Sequence, residues 1–285
     1  MKGFKPTWAA FTLAGLMGAS AVFAQAQPAA KNEYQPEVGQ AGKDVIWVPT
    51  PDTLIAKMLV MAKVTPNDFV IDLGSGDGRT VIAAAKIGAS AQGIEYNPDM
   101  VALSAKRAAD AGVAAKAKFM KADIFESDFS KATVITMYLL PELNLRLRPK
   151  LLEMKPGTRL VSHAFTMGEW EPDEQATIEG RNAMLWIVPA KAEGSWTLRQ
   201  STGNGAAAFD VALTQEFQKL SGSVRQGQHT AKVEDGRING EQVAFSFVDA
   251  RGAKQRFSGK HTANRMEGSL SGGNVAEIKW IAERK

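Results

Sequence analysis

The sequence predicts an α/β fold: a doubly wound, mostly parallel sheet over residues 44–191, followed by a smaller antiparallel all-β domain, barrel or sandwich, over 192–285. Three observations carry this expectation. Short apolar runs alternate with helix-spaced segments from Val45 to Ala190, as βαβ units require. A glycine-rich turn, "DLGSGDGR" (72–79), joins the first apolar run to an alanine-rich segment. After Glu193 helical spacing stops, and segments such as "AAFDVALTQ" and "QVAFSFVDA" alternate apolar and polar residues between glycine turns.

The elements follow in order. Leu54, Ile55, Met58, Leu59 and Ala62 fall at helical spacing within Pro51–Lys63, with Thr50 or Asp52 as cap and Pro51 suited to an early helical position. Phe69–Leu73 is a short buried strand, Arg79–Lys86 a helix and Ala91–Glu95 a second strand. A helix over Asp99–Ala111 stops at Gly112. Strands follow at Lys116–Met120 and Thr133–Leu139. A helix over Pro141–Met154 then ends before Pro156-Gly157, and Thr158–Ala164 and Ala183–Val188 are further strands. In the β-domain, seven or eight strands are expected. Phe209, Val211 and Leu213 share one face of a strand, as do Val243, Phe245 and Phe247.

The N-terminus reads as a targeting segment. Lys2 and Lys5 precede an apolar stretch from Trp8 to Val22, and Val22-Phe23-Ala24 suits a signal peptidase. Residues 1–24 are thus expected to be a signal peptide, which places the protein in the periplasm or envelope. An uncleaved, membrane-anchoring N-terminus is the alternative. Residues 25–43, rich in Ala, Gln, Pro and Gly, read as a linker.

Composition excludes several classes. The chain has 285 residues, a net charge of +4 and no run of five or more Lys/Arg, so a nucleic-acid groove is not expected. It has no cysteine, which removes disulfides, thiolate metal sites and Cys nucleophiles. His163, His229 and His261 lie far apart and form no metal-binding pattern, so no metal is expected.

The loop Gly74-Ser75-Gly76-Asp77-Gly78 narrows the ligand. It lacks the Lys-Ser/Thr ending of a triphosphate loop. Asp72 and Asp77 would repel a pyrophosphate at the turn and attract a cation instead. S-adenosylmethionine carries a sulfonium and an ammonium and meets that requirement. Asp72 is placed to attract the ammonium, Glu95 to accept from both ribose hydroxyls, and Asp123 to accept from the adenine amino group with Ile124 flanking the ring. Each residue also has a structural reading: Asp72 or Asp77 as helix cap, Glu95 as exposed strand end, Asp123 as loop chemistry. Their placement at three successive strand ends favours the ligand.

"VPTPDTLIAKML", "DLGSGDGR", "GIEYNP", "ATVITMYLLPELNLRLRPKL" and "KPGTRLVSHAFTMGEW" together resemble the class I methyltransferases related to the ATP synthase c-subunit lysine methyltransferases, over Val45 to Pro189. The resemblance implies a Rossmann-like sheet, S-adenosylmethionine as cofactor and methyl transfer to a protein lysine. It assigns Gly74, Gly76 and Gly78 to the cofactor loop, Glu95 to the ribose and Asp123 to the adenine. Tyr138, after the fourth strand, is then expected to orient the amine; an ordinary strand aromatic is the alternative reading. Trp47, Pro49, Thr50 and Pro51 form either a lid or a rigid segment packed on the sheet. His163 is expected to be a hydrogen-bonded, half-buried histidine rather than a base. Arg146, Arg148 and Lys150 are expected on a solvated helix face, and Trp196 and Trp280 in a core. A small-molecule acceptor, or a non-catalytic envelope protein that binds a nucleoside and uses its β-domain to recognise a partner, are the alternative functions. Contact with envelope or membrane proteins would follow from export, and oligomeric state is left open.

Overall fold

The computed structural model describes residues 1–3, 5, 34–202, 205–271 and 278–285. The expected signal peptide and the linker up to residue 33 lie outside the described residues, apart from residues 1–3 and 5. Tyr34–Lys285 is one compact unit containing two sheets.

The first sheet has β1 (Phe69–Leu73), β2 (Ser90–Glu95), β3 (Ala117–Lys121), β4 (Val134–Met137), β5 (Arg159–His163), β6 (Glu174–Ile178) and β7 (Arg181–Ile187) in the order β3-β2-β1-β4-β5-β7-β6. Strands β1 to β5 run parallel and β7 is antiparallel to both its neighbours. The order reverses between β1 and β4. There, ligands of doubly wound sheets bind beyond the carboxyl ends of the strands.

Apolar strands buried on both faces require cover on both sides. Leu54, Ile55, Met58 and Leu59 of α1 (Asp52–Met61) and Val81 and Ala84 of α2 (Arg79–Ile87) pack with Val70 and Val134 on one face. Leu147 and Leu151 of α4 (Pro141–Leu152), with Trp170 and Trp186, cover Ile71, Leu73 and Ile135 on the other. The helix α3 (Pro98–Asp110) begins where Asn97 accepts from the amides of Asp99 at 2.9 Å and Met100 at 3.4 Å, with Pro98 in the first turn. The expected elements all form, with ends moved by one or two residues. One feature differs. β6 is an additional edge strand closed onto β7 by a two-residue hairpin. Both hairpin residues, Glu179 (φ 52°) and Gly180 (φ 75°), are left-handed.

The second sheet settles the choice between barrel and sandwich. Its strands are β8 (Gly194–Thr202), β9 (Gly205–Glu216), β10 (Lys219–Gln226), β11 (His229–Lys232), β12 (Glu234–Asn239), β13 (Gln242–Val248), β14 (Lys254–Thr262), β15 (Arg265–Ser271) and β16 (Ile278–Arg284). β11 and β12 both pair with β10 and act as one irregular strand. Pairing of β16 with β8, and of β9 with both β8 and β10, closes an eight-stranded antiparallel barrel. Its interior is filled by side chains. Phe245 stacks on Phe257 at 5.1 Å, Phe257 stacks on Phe247 at 5.3 Å, and Trp280 lies edge-on to Phe257. Trp196 is fully buried, as expected.

The barrel is fastened to the β6–β7 side of the first sheet. Arg237 pairs with the buried carboxylate of Asp173 at 2.6 Å, and Gln218 Nε2 donates to the Glu171 carbonyl at 2.7 Å. Phe217 stacks on Trp170 at 5.9 Å.

Candidate active site

A cavity of about 330 Å³ opens at the carboxyl ends of the parallel strands. Among the described residues its lining lies between residues 40 and 165, and the barrel contributes none of it. Along the sheet edge, from β3 to β5, the lining side chains run Asp123, Glu95, Asp72, Tyr138 and Phe165, with Asp72 at the end of β1 and Tyr138 just beyond β4. At the strand ends the carboxylates thus lie on one side and Tyr138 and Phe165 on the other, with Trp47 and Tyr96 also lining the carboxylate side. The change falls at the reversal of strand order.

Asp72 is buried and accepts a 2.6 Å hydrogen bond from Thr136 Oγ1. Burial pushes its carboxyl up to about 7, against the Thr136 hydrogen bond, and the nearby charge of Glu95 adds to the rise. Such a carboxylate is short of a positive partner. Glu95 bridges loop and strand: Oε2 accepts from the Gly76 amide and Oε1 from the Asn97 amide, both at 2.9 Å.

Gly76 (φ 51°) and Gly78 (φ 79°) have left-handed backbone and crowded surroundings. A Cβ on Gly76 would lie 2.6 Å from Trp47 Nε1, and one on Gly78 would lie 2.7 Å from Ser104 Cβ. Ser75 Oγ, buried in the same loop, has no hydrogen-bond partner.

Asp77 differs from the expectation. Its carboxylate, 2% exposed, is held by Arg79 at 2.7 Å and by Arg107 at 2.5 Å. Burial works to raise its pKa, but the two guanidinium groups hold it below the usual carboxylate range. Its charge is neutralised inside the protein, so attraction for a cation comes from Asp72 and Glu95. The N-cap position of α2 is Gly78 rather than either aspartate, although Asp77 Oδ1 accepts from the Arg79 amide of the first turn at 3.4 Å.

Asp123 Oδ1 accepts from the Phe125 amide at 2.9 Å, and its other oxygen is paired with Lys43. Lys43 holds the Asp123 carboxyl below its ordinary range. Ile124 is half-buried and lines the cavity beside it. Lys43 also lies 5.0 Å from the centroid of the Tyr96 ring. Residues Gln40–Lys43, at the end of the stretch read as linker, thus belong to the cavity wall together with Trp47 and Thr50. Thr50 is buried in this segment, with its hydroxyl 3.0 Å from His163 Nδ1 and its carbonyl accepting from Arg79 at 3.2 Å.

Tyr138 is half-buried and stacks on His163 at 3.8 Å. His163 is 3% exposed, its Nδ1 is 3.0 Å from Thr50 Oγ1, and burial, aided by the Arg181 charge, lowers its pKa to about 4. It is a neutral packing partner near pH 7. The α4 cations are less solvated than expected. Arg148 bonds the Met167 carbonyl at 2.8 Å, Lys150 bonds the Ser127 carbonyl at 2.5 Å, and Arg146 lies 3.6 Å from the Phe125 ring centroid. Lys43, Thr136, Arg107 and Phe165 were not singled out by the sequence. Each acts through a partner distant in the chain.

Fold and cavity together define a class I methyltransferase. The sequence pattern of the ANTKMT methyltransferase domain matches residues 72–174. A protein-lysine N-methyltransferase of Saccharolobus islandicus is 44% identical over 141 residues, covering 48% of this chain and 88% of the relative. The ATP synthase c-subunit lysine N-methyltransferase of Homo sapiens is 36% identical over 191 residues, covering 65% and 77%. Among solved structures, an RNA methyltransferase from Salinibacter ruber in complex with S-adenosyl-L-homocysteine is 49% identical. It has a TM-score of 0.50 and covers 50% of this chain and 95% of that one. The chain belongs to the S-adenosylmethionine-dependent methyltransferase family that includes these protein-lysine N-methyltransferases. Its cofactor is S-adenosylmethionine. The cavity suits that molecule: backbone of Gly74 and Gly76 without side chains lines it, and the buried Asp72 carboxylate, bonded to the Thr136 hydroxyl, has no positive partner among the described residues.

Proposed function

We propose that this enzyme methylates the side-chain amine of lysine in a protein, with the cofactor's ammonium at Asp72, its ribose at Glu95 and its adenine between Asp123 and Ile124. The cofactor supplies an electrophilic methyl group on a sulfonium. The observation that carries the reading is the division of the cavity at β1/β4. Asp72, Glu95 and Asp123 lie on one side, and an uncharged end of Tyr138, Leu139, Leu140, Leu143 and Phe165 lies on the other.

That end suits an amine that must arrive without its proton. A lysine in water has a pKa of about 10.4, and transfer into an apolar slot lowers it. No base is required of the protein beyond this desolvation. His163, with Nδ1 turned to Thr50, is left as support for Tyr138. Tyr138 orients the amine so that its lone pair meets the methyl carbon in line, at about 3–3.5 Å.

Labelled S-adenosylmethionine, incubated with the enzyme and with envelope or cytosolic protein, tests the assignment. Label recovered as methyl-lysine after acid hydrolysis is expected. Label found only in RNA would favour the alternative suggested by the Salinibacter relative. Label found only in small molecules would favour a metabolite acceptor.

Export is a separate proposal, resting on the charge, apolar run and small-residue site within residues 1–24. Cell fractionation with sequencing of the mature N-terminus tests it. A chain starting near Gln25 in the periplasm supports it, and an intact cytosolic chain refutes it.

A further inference from the structure

Resting on the lysine reading above, we propose that Phe165 is a specificity-determining residue of the acceptor site. Its ring, with that of Tyr138, makes the aromatic wall along which the methylene stem of the acceptor lysine lies. The two rings stack at 6.0 Å between centroids and 18° between planes, and both line the cavity. Phe165 is only half-buried, so an apolar ring is left facing an open cavity.

Its position is built at some cost. The Phe165 amide donates to the His163 carbonyl at 2.8 Å, which closes a three-residue γ-turn centred on Ala164. Ala164 has φ 65°, a conformation that a residue with a Cβ adopts only under strain. The Phe165 carbonyl accepts from Ser162 Oγ at 2.8 Å and from Asn144 Nδ2 at 3.3 Å. Asn144, fully buried in α4, also donates to the Thr166 carbonyl at 3.2 Å, while its own Oδ1 has no partner. Backbone strain and an orphaned buried oxygen both lower stability. What they secure is the direction of one ring.

The neighbouring lining fits an aliphatic stem. Leu139, Leu140 and Leu143 surround this end of the cavity. Facing rings also attract the methylated ammonium as it forms.

The test uses the full chain, S-adenosylmethionine and a short acetyl-capped peptide carrying one lysine. Phe165→Ala is expected to raise the KM for the peptide about tenfold, Phe165→Tyr to stay near wild type and Phe165→Leu to fall between. All three should bind S-adenosylmethionine within about twofold of wild type by calorimetry, which also shows that they fold. An unchanged peptide KM in Phe165→Ala overturns the assignment. So does a loss of cofactor affinity in step with activity, because the ring would then belong to the cofactor's half. Wild-type enzyme that transfers no methyl group to the peptide overturns the lysine reading and this assignment with it, and is recognised before any variant is made.

Discussion

Thr136 and Asp72 meet through a 2.6 Å hydrogen bond across adjacent strands, at the point where the order of the sheet reverses. The register pairs these residues directly, which puts the hydroxyl beside a carboxylate whose pKa has been pushed to about 7. A cationic ligand binds the ionised form. Cofactor affinity is therefore expected to fall about tenfold per pH unit below 7 and to level off above it. Calorimetry from pH 5.5 to 8.5 checks this.

The same shift bears on stability. The folded pKa of Asp72 lies above the 3.8 of an unperturbed carboxyl, so the folded protein holds an extra proton between those values. Stability without cofactor therefore declines as pH rises from about 4 through 7. Asp72→Asn removes that penalty. It is expected to raise the Tm at pH 8 while weakening S-adenosylmethionine binding at least tenfold, a loss typical of a charged hydrogen bond. A thermal melt paired with a titration reads both effects.

His163 acts in the opposite direction. Burial depresses its pKa from 6.5 to about 4, so the unfolded chain takes up a proton that the folded one refuses. Its contribution is complete above 6.5 and is lost as pH falls toward 4. His163→Gln should flatten this acid limb by roughly 2 kcal/mol in denaturant melts. Turnover should rise with pH through 7 to 9 in both proteins, since the acceptor amine and not His163 carries the relevant proton.

The two glycines separate structural from ligand effects. Gly78→Ala places a Cβ against Ser104 and Phe119 at 2.7–2.8 Å in left-handed backbone, and a loss of about 2 kcal/mol or more is expected. Gly76→Ala carries the same left-handed strain, but its Cβ meets only the Trp47 side chain. It should displace that side chain and weaken cofactor binding more than it lowers Tm.

Much of this was legible in the sequence. The spacing of Leu54, Ile55, Met58 and Leu59 marks α1, and "DLGSGDGR" marks the turn, because local pattern alone dictates them. The three acids at Asp72, Glu95 and Asp123 were found at strand ends for the same reason. What escaped is whatever depends on long-range pairing. Asp77 is held by Arg79 two residues on and by Arg107 thirty residues on, and only the first of these is a sequence neighbour. Lys43 sits in a stretch with linker composition, yet reaches Asp123 across the cavity. β6, with only partly buried or exposed residues, has too little apolar alternation to announce an edge strand. Barrel closure is set by β9 pairing with β10 as well as with β8, which no single segment encodes. For Phe165 the only signal was its place just past β5, the counterpart of Tyr138 past β4.

Titration of the purified full chain with S-adenosylmethionine, NAD and ATP in parallel, with Asp72→Asn alongside, tests the central claim most directly. One-site binding of S-adenosylmethionine that Asp72→Asn weakens at least tenfold, with no uptake of the phosphorylated ligands, is the expected result. Tight binding of NAD or ATP by a protein indifferent to S-adenosylmethionine would contradict it.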